Sequence, residues 1–181
     1  MAGCRRQPAT EGDAPGGLDA YGTWSARRKG GALHTTLAMV ASALAPDEAI
    51  LDFLVSDSTV SALVVTRAGP ALVSLAVGPD SLRTLVTAFN APIAPRVGSG
   101  IDLSHIGFDT TAARRLHRAL IEPLAGVLDT GTRLTIVPDG VLHLLSFDAL
   151  LISDRPPRFM VDDYTIRYAT SLGAQLQTRP R

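Results

Sequence analysis

The chain has 181 residues, 46% hydrophobic and 19% charged, with 17 basic and 17 acidic side chains in balance. That length holds one domain with its own core, and such aliphatic content with so little charge excludes a chain disordered throughout. A balanced charge, with no basic face interleaved with aromatics, excludes a nucleic-acid binder, and no apolar run reaches the roughly 20 residues of a membrane-spanning helix.

Residues 1–31 hold seven of the sixteen glycines together with Pro8 and Pro15 and show no apolar period, which predicts a disordered leader. Cys4, the single cysteine, lies in this leader. One cysteine permits no intrachain disulfide and no cysteine cluster for zinc, so a reducing, cytoplasmic setting is expected. A catalytic thiol needs a fixed electropositive niche with a base beside it, and the leader offers no framework for one. Cys4 is therefore read as an incidental thiol.

Over residues 32–45, Leu33, Leu37, Val40 and Leu44 recur at three- and four-residue spacings, an amphipathic helix that Pro46 stops. The same stretch also imitates a secretory signal, because Arg27, Arg28 and Lys29 precede an apolar run ending Ala43-Leu44-Ala45. His34, Thr35 and Thr36 interrupt that run, and the helix is the preferred reading. Three β-branched-rich segments follow, AILDFLV (49–55), VSALVVTR (60–67) and ALVSLAV (71–77), parted by SDST and AGP. Their short spacing predicts an antiparallel meander.

A helix is then predicted from Pro79 and Asp80, with Leu82, Leu85, Val86 and Phe89 on one face. APIAPRVGSGIDLSHIG is a loop by composition. A second helix is expected from Thr110 or Thr111 to Leu128, capped by Asp109 or Thr110 and kinked at Pro123. Ala113, Leu116, Leu120, Leu124 and Val127 are expected to face inward, and Arg114, Arg115, Arg118 and Glu122 to face water. Gly131 closes the helix, and LTIV (134–137) reads as a buried strand; helix followed by buried strand implies the parallel sheet of an α/β layer.

Val137-Pro138-Asp139-Gly140 suits a type I turn in which Asp139 offers an acceptor and Gly140 a conformation that other residues avoid. In VLHLLSFDALL, Leu142, Leu144, Leu145 and Phe147 supply apolar mass, and Ser146 is placed to cap a helical turn. A loop past the carboxyl end of a parallel strand often borders a binding cleft, which makes Asp139 and His143 the candidates for a site; structural roles are the plainer alternative for both.

Other constellations are refused. His34, His105, His117 and His143 lack metal-ligand spacing, so no metal is expected. VGSG (97–100) is not a nucleophile elbow, and no phosphate-cradling glycine loop exists, so no cofactor is expected. Arg114, Arg115 and Arg118 read as a solvated basic face.

The order of elements carries a resemblance: ALAPDEAILDFLVSD, then ALVVTRAGPALVSLAV, LHRALIEPL, RLTIVPDGVLHLLSFDAL and finally VDDYTIRYATSLGAQL. From about Leu44 to Leu176 the chain resembles the amino-terminal half of a CHAT domain, the caspase-like domain that accompanies tetratricopeptide repeats in bacterial proteins. The PDG-x-L-H-x-L-x-F-x-A-L run is its specific part. Ser146 stands where the family commonly has Pro, and Ala169-Thr170-Ser171 where a Tyr is often followed by Pro-Ser.

The resemblance implies an incomplete caspase-like α/β fold with an amino-terminal meander, divided as leader (1–31), preceding helix (32–45) and truncated CHAT domain (46–181). It implies kinship with caspase- and separase-type cysteine peptidases. Their catalytic His and Cys belong to a later half, so no catalytic residue is assigned here and the chain is expected to be inactive alone. His143 matches a His of the family's PDG run that is not the catalytic one. The expected partners are proteins: a tetratricopeptide-repeat protein or a separately encoded second CHAT half.

Overall fold

The computed structural model of the protein describes residues 37–92 and 108–172. The leader, Cys4, His34, the loop at 93–107 with His105, and the segment after residue 172 lie outside the described residues. The elements in chain order are α1 (Leu37–Ala43), β1 (Glu48–Val55), β2 (Val60–Thr66), β3 (Gly69–Leu75), α2 (Pro79–Asn90), α3 (Thr110–Leu120), β4 (Arg133–Val137), β5 (Leu151–Asp154), β6 (Pro157–Phe159), α4 (Met160–Asp163) and β7 (Thr165–Tyr168). Short 3-10 turns occupy Glu122–Leu124, Gly140–Leu144 and Phe147–Ala149.

Five strands form one sheet in the order β3-β2-β1-β4-β7, and β5 and β6 form a separate hairpin. The expected meander is present: β1 pairs antiparallel with β2, and β2 with β3. The other edge of β1 pairs parallel with β4, setting Leu51 opposite Ile136 and Asp52 opposite Val137, and β4 pairs parallel with β7. The fold is thus α/β with an antiparallel amino-terminal portion, as the sequence implied. β1 sits at the centre with residues on both faces buried, which explains why AILDFLV reads as an almost unbroken apolar run. Asp52 is its exception, an acid completely shielded from solvent.

The central strands of the sheet are covered on both sides. Leu51 and Phe53 of β1, Val64 of β2 and Leu134 and Ile136 of β4 pack with Leu82, Val86 and Phe89 of α2 and Leu116 and Leu120 of α3 in the main core. On the opposite face Val40, Ala41 and Leu44 of the α1 segment pack against Ile50, Leu63, Val65 and Val137. Strand residues alternate between the two clusters because successive side chains point to opposite faces. At the amino ends of β1 and β4, Arg133 holds Asp47 through two 2.9 Å hydrogen bonds. Arg167 of β7 reaches Glu48 at 3.3 Å, so charge also ties the third parallel strand to β1. The Arg133 hydrogen bond lowers the Asp47 carboxyl below its ordinary range.

The second helix is shorter than its apolar spacing predicts. α3 begins as expected, with the Asp109 side chain accepting from the Ala112 N–H at 2.9 Å, but it ends at Leu120 and gives way to the 3-10 turn at Glu122–Leu124. Pro123 has no N–H for the carbonyl of Ala119, so the helix stops rather than kinking. Val127, expected inside, is consequently 40% exposed. Leu124 remains fully buried because the tighter turn still aims it at the core.

Candidate functional site

The carboxyl ends of β1 and β4 lie side by side, and the PDG segment leaves the sheet between them. It does not form the predicted type I turn: Asp139 is extended (φ −135°, ψ 148°), and the chain tightens only afterwards, into the 3-10 turn at Gly140–Leu144. The reason is a long-range hydrogen bond. The Val55 N–H at the end of β1 donates to Asp139 Oδ2 at 3.0 Å, which draws the aspartate across to the neighbouring strand rather than over its own turn. Gly140 carries the reversal with φ +55°, the left-handed conformation anticipated for it.

The apolar segment after PDG then folds back over the sheet. Leu142, Leu145, Phe147 and Leu150 are buried in the main core, and the ring of Phe147 stacks on Phe53 of β1 with centroids 5.3 Å apart. Leu144, expected to join them, is 68% exposed, because a five-residue 3-10 turn cannot bury every side. Ser146 occupies the cap position of the next turn, yet its hydroxyl makes no capping bond; the Ala149 N–H reaches its backbone carbonyl at 3.3 Å instead. Asn90 of α2 secures the segment from the other side by donating to the Leu144 carbonyl at 2.9 Å.

Tyr168 of β7 locks the far end. Its hydroxyl accepts from the Phe147 N–H at 3.0 Å and donates to Asp148 Oδ2 at 2.8 Å. Burial, reinforced by the hydrogen bond to Asp148, pushes the phenol up to about 12. The segment after β4 is therefore stapled at both ends, by Asp139 to β1 and by Tyr168 to β7.

A shallow cleft of about 310 Å3 opens beside this segment, lined by Val55, Ser56, Asp57, Pro79, Asp80, Arg83, Gly140 and Val141. Of the two sequence candidates, Asp139 is partly buried and turned to β1, whereas His143 is exposed on the 3-10 turn, not packed. The cleft's charged pair, Arg83 and Asp80, is bound to itself at 2.8 Å, and Ser56 is engaged with Thr59 across the β1–β2 turn at 2.9 Å. Among the described residues no cysteine is present and no group of three His, Cys, Asp or Glu side chains could hold a metal ion. The arrangement shapes a surface and positions strands.

The sequence reading missed a second polar cluster. Arg114, expected to face water, meets the exposed Glu122 at 3.3 Å, and its guanidinium also donates to the carbonyls of Leu151 and Ile152 on β5. His117, 6% exposed, lies beside them with Nδ1 3.4 Å from Arg114 and 3.8 Å from Glu122. Burial, then the Arg114 charge, lowers the imidazole below its ordinary value, partly opposed by Glu122 and Asp163. The signal was available: position 117 lies four residues from Ala113 and three from Leu120, inside the buried stripe of α3.

The family model of the CHAT domain matches residues 110–181, from α3 through β4, the PDG segment and the β5–β6 hairpin to β7 and beyond. This part of the chain is similar to the CHAT domain, a family related to caspase-like peptidases, in keeping with the PDG-x-L-H run. The match leaves out the meander of β1 to β3, which the resemblance had included from about Leu44. No curated protein shows a significant match to the chain. No helix of the described residues is long and apolar enough to cross a membrane.

Proposed function

We propose that this chain is a peptidase-related CHAT protein that does not cut substrates by itself and acts by binding a protein partner, either a separately encoded second CHAT half or a tetratricopeptide-repeat protein. The observation that carries this reading is the outer edge of β7. Among the described residues β7 is the last strand of the sheet, hydrogen-bonded to β4 alone, with Thr165, Arg167 and Tyr168 exposed. An open strand edge is a template for pairing with another chain, and proteins usually blunt it with inward charge, proline or a cover. Here Arg167 is drawn back onto Glu48 and so guards the edge poorly.

The chemistry of the described residues agrees with a binding role. A caspase-type reaction needs a thiolate within hydrogen-bond reach of an imidazole. His117 is buried against Arg114, and His143 stands exposed on a turn. The chain is then divided into a helix packed under the sheet and a CHAT unit that begins near residue 46, in the reducing setting expected of its single cysteine.

The test is co-expression with the neighbouring gene product, followed by peptidase assay of the chain alone and of any complex. A stable complex, with no turnover by the free chain, is the expected result. Thiol-dependent cleavage by the complex would mark the partner as the catalytic half, and an inert complex would mark a binding module. Turnover by the free chain that Cys4→Ala abolishes would overturn the proposal.

A further inference from the structure

We propose that Arg114, His117 and Glu122 form a proton-operated latch on the β5–β6 hairpin: neutral His117 keeps Arg114 on the β5 carbonyls, and a proton on Nδ1 draws Glu122 to the imidazole and releases the guanidinium. Arg114 is the hairpin's polar anchor on α3, since it donates to the carbonyls of both Leu151 and Ile152. Arg114 also reaches Nδ1 of His117 at 3.4 Å, a contact that requires Nδ1 to be an unprotonated acceptor. Once protonated, Nδ1 becomes a donor facing another donor, and two positive charges meet in a site only 6% exposed at the histidine.

Glu122 is placed to exchange partners. Its Oε1 lies 3.3 Å from Arg114 and 3.8 Å from Nδ1 of His117, so a small rotation converts an arginine contact into an imidazolium contact. The groups facing the imidazole are Arg114 and Arg118 from its own helix, Glu122 from the turn that follows, and Asp163 from the end of α4. Asp163 is already bound to Arg158 of β6, which leaves Glu122 as the carboxylate able to move. Arg114 Nε is buried without a hydrogen-bond partner, so the guanidinium is incompletely satisfied even in the closed state and is poised to leave.

Release has a defined result. Leu151 of β5 is buried, and Phe159 of β6 packs edge-on against Phe108 at 5.8 Å, which in turn meets Phe89 of α2 at 5.6 Å. Loosening the hairpin uncovers this row of aromatic rings. Because burial and Arg114 hold the imidazole below its ordinary value, the folded state favours the neutral ring; the latch is fully closed above about pH 6.5, the ordinary imidazole value, and opens as pH falls through the lower value of the folded ring.

The test is amide hydrogen exchange of the full chain between pH 7 and 5, corrected for the intrinsic pH dependence. Amides of residues 151–159 should lose protection about tenfold on acidification while those of β2 hold steady, because one linked proton changes an opening equilibrium by at most tenfold per pH unit. His117→Gln should abolish the response, and Glu122→Gln should shift it to lower pH. In the unsubstituted chain, the His117 ring resonances should titrate together with the Ile152 and Ser153 amides. Hairpin protection independent of pH, an unchanged response in His117→Gln, or a His117 titration that leaves those amides unmoved would each overturn the latch.

Discussion

Tyr168 shows how one side chain can connect elements that the sequence gives no reason to associate. Its hydroxyl satisfies the Phe147 N–H and finds its own acceptor in Asp148, while the ring lies 6.4 Å from that of Phe147. Because the phenol is pushed up to about 12, the folded state retains its proton more tightly than the unfolded chain. Its contribution to stability is fully present below about pH 10 and is lost as pH rises through about 12. Ultraviolet titration should therefore find a tyrosine ionising late, and Tyr168→Phe should remove that late step. The same substitution should lower stability at neutral pH by about 1–2 kcal/mol in urea unfolding, the usual cost of stranding a partly buried hydrogen-bond partner. An unchanged midpoint would mean that the Phe147 amide is satisfied equally well without the tyrosine.

At the scale of elements, the PDG segment rests on backbone conformation as much as on contacts. Gly140 has φ +55°, and a Cβ there would meet Val55 Cβ at 3.5 Å, ordinary van der Waals contact, so the cost of Gly140→Ala is conformational. It should be about 1–2 kcal/mol. Gly126→Ala, with open space around it and no positive φ, should be nearly neutral in the same thermal-unfolding measurement. Equal effects would refute the backbone argument.

Much of this level was legible beforehand. The three strands of the meander, α2 with Leu82, Val86 and Phe89 buried, and the buried LTIV strand all follow from spacing and β-branched content. What was not legible depended on distant partners. The type I turn failed because Asp139 answers Val55, 84 residues away, and the solvated arginine face of α3 held for Arg115 and Arg118 but not for Arg114, which answers β5. Of the cleft, the sequence pointed only to the segment after β4, which supplies Gly140 and Val141. The rule about strand carboxyl ends pointed to Asp139 and His143, neither of which lines the cleft, while His117 and Tyr168, with their shifted protonation, lay at positions that looked ordinary in sequence.

Across the whole molecule the sheet is asymmetric: an antiparallel side made from neighbouring strands, and a parallel side made from strands far apart in the chain. Among the described residues both outer strands are edges, β3 bonded to β2 alone and β7 to β4 alone, but α1 packs beside β3. Without a partner, the chain should therefore associate as its concentration rises, and Thr165→Lys, a charge on the exposed strand, should reduce that association in sedimentation velocity. A strictly monomeric chain at high concentration would argue that β7 is covered.

The central position of β1 carries one more consequence, for the nascent chain. During synthesis the β1–β2 and β2–β3 turns emerge within a few residues of their strands, so the meander can close early. The segment that completes the other side of β1 is not yet made, because Arg133 pairs with Asp47 across 86 residues. Until the ribosome has delivered β4, β1 presents the unpaired N–H and C=O groups of that edge to any other extended polypeptide nearby, so slowing translation between β3 and β4 should lower the yield of soluble chain.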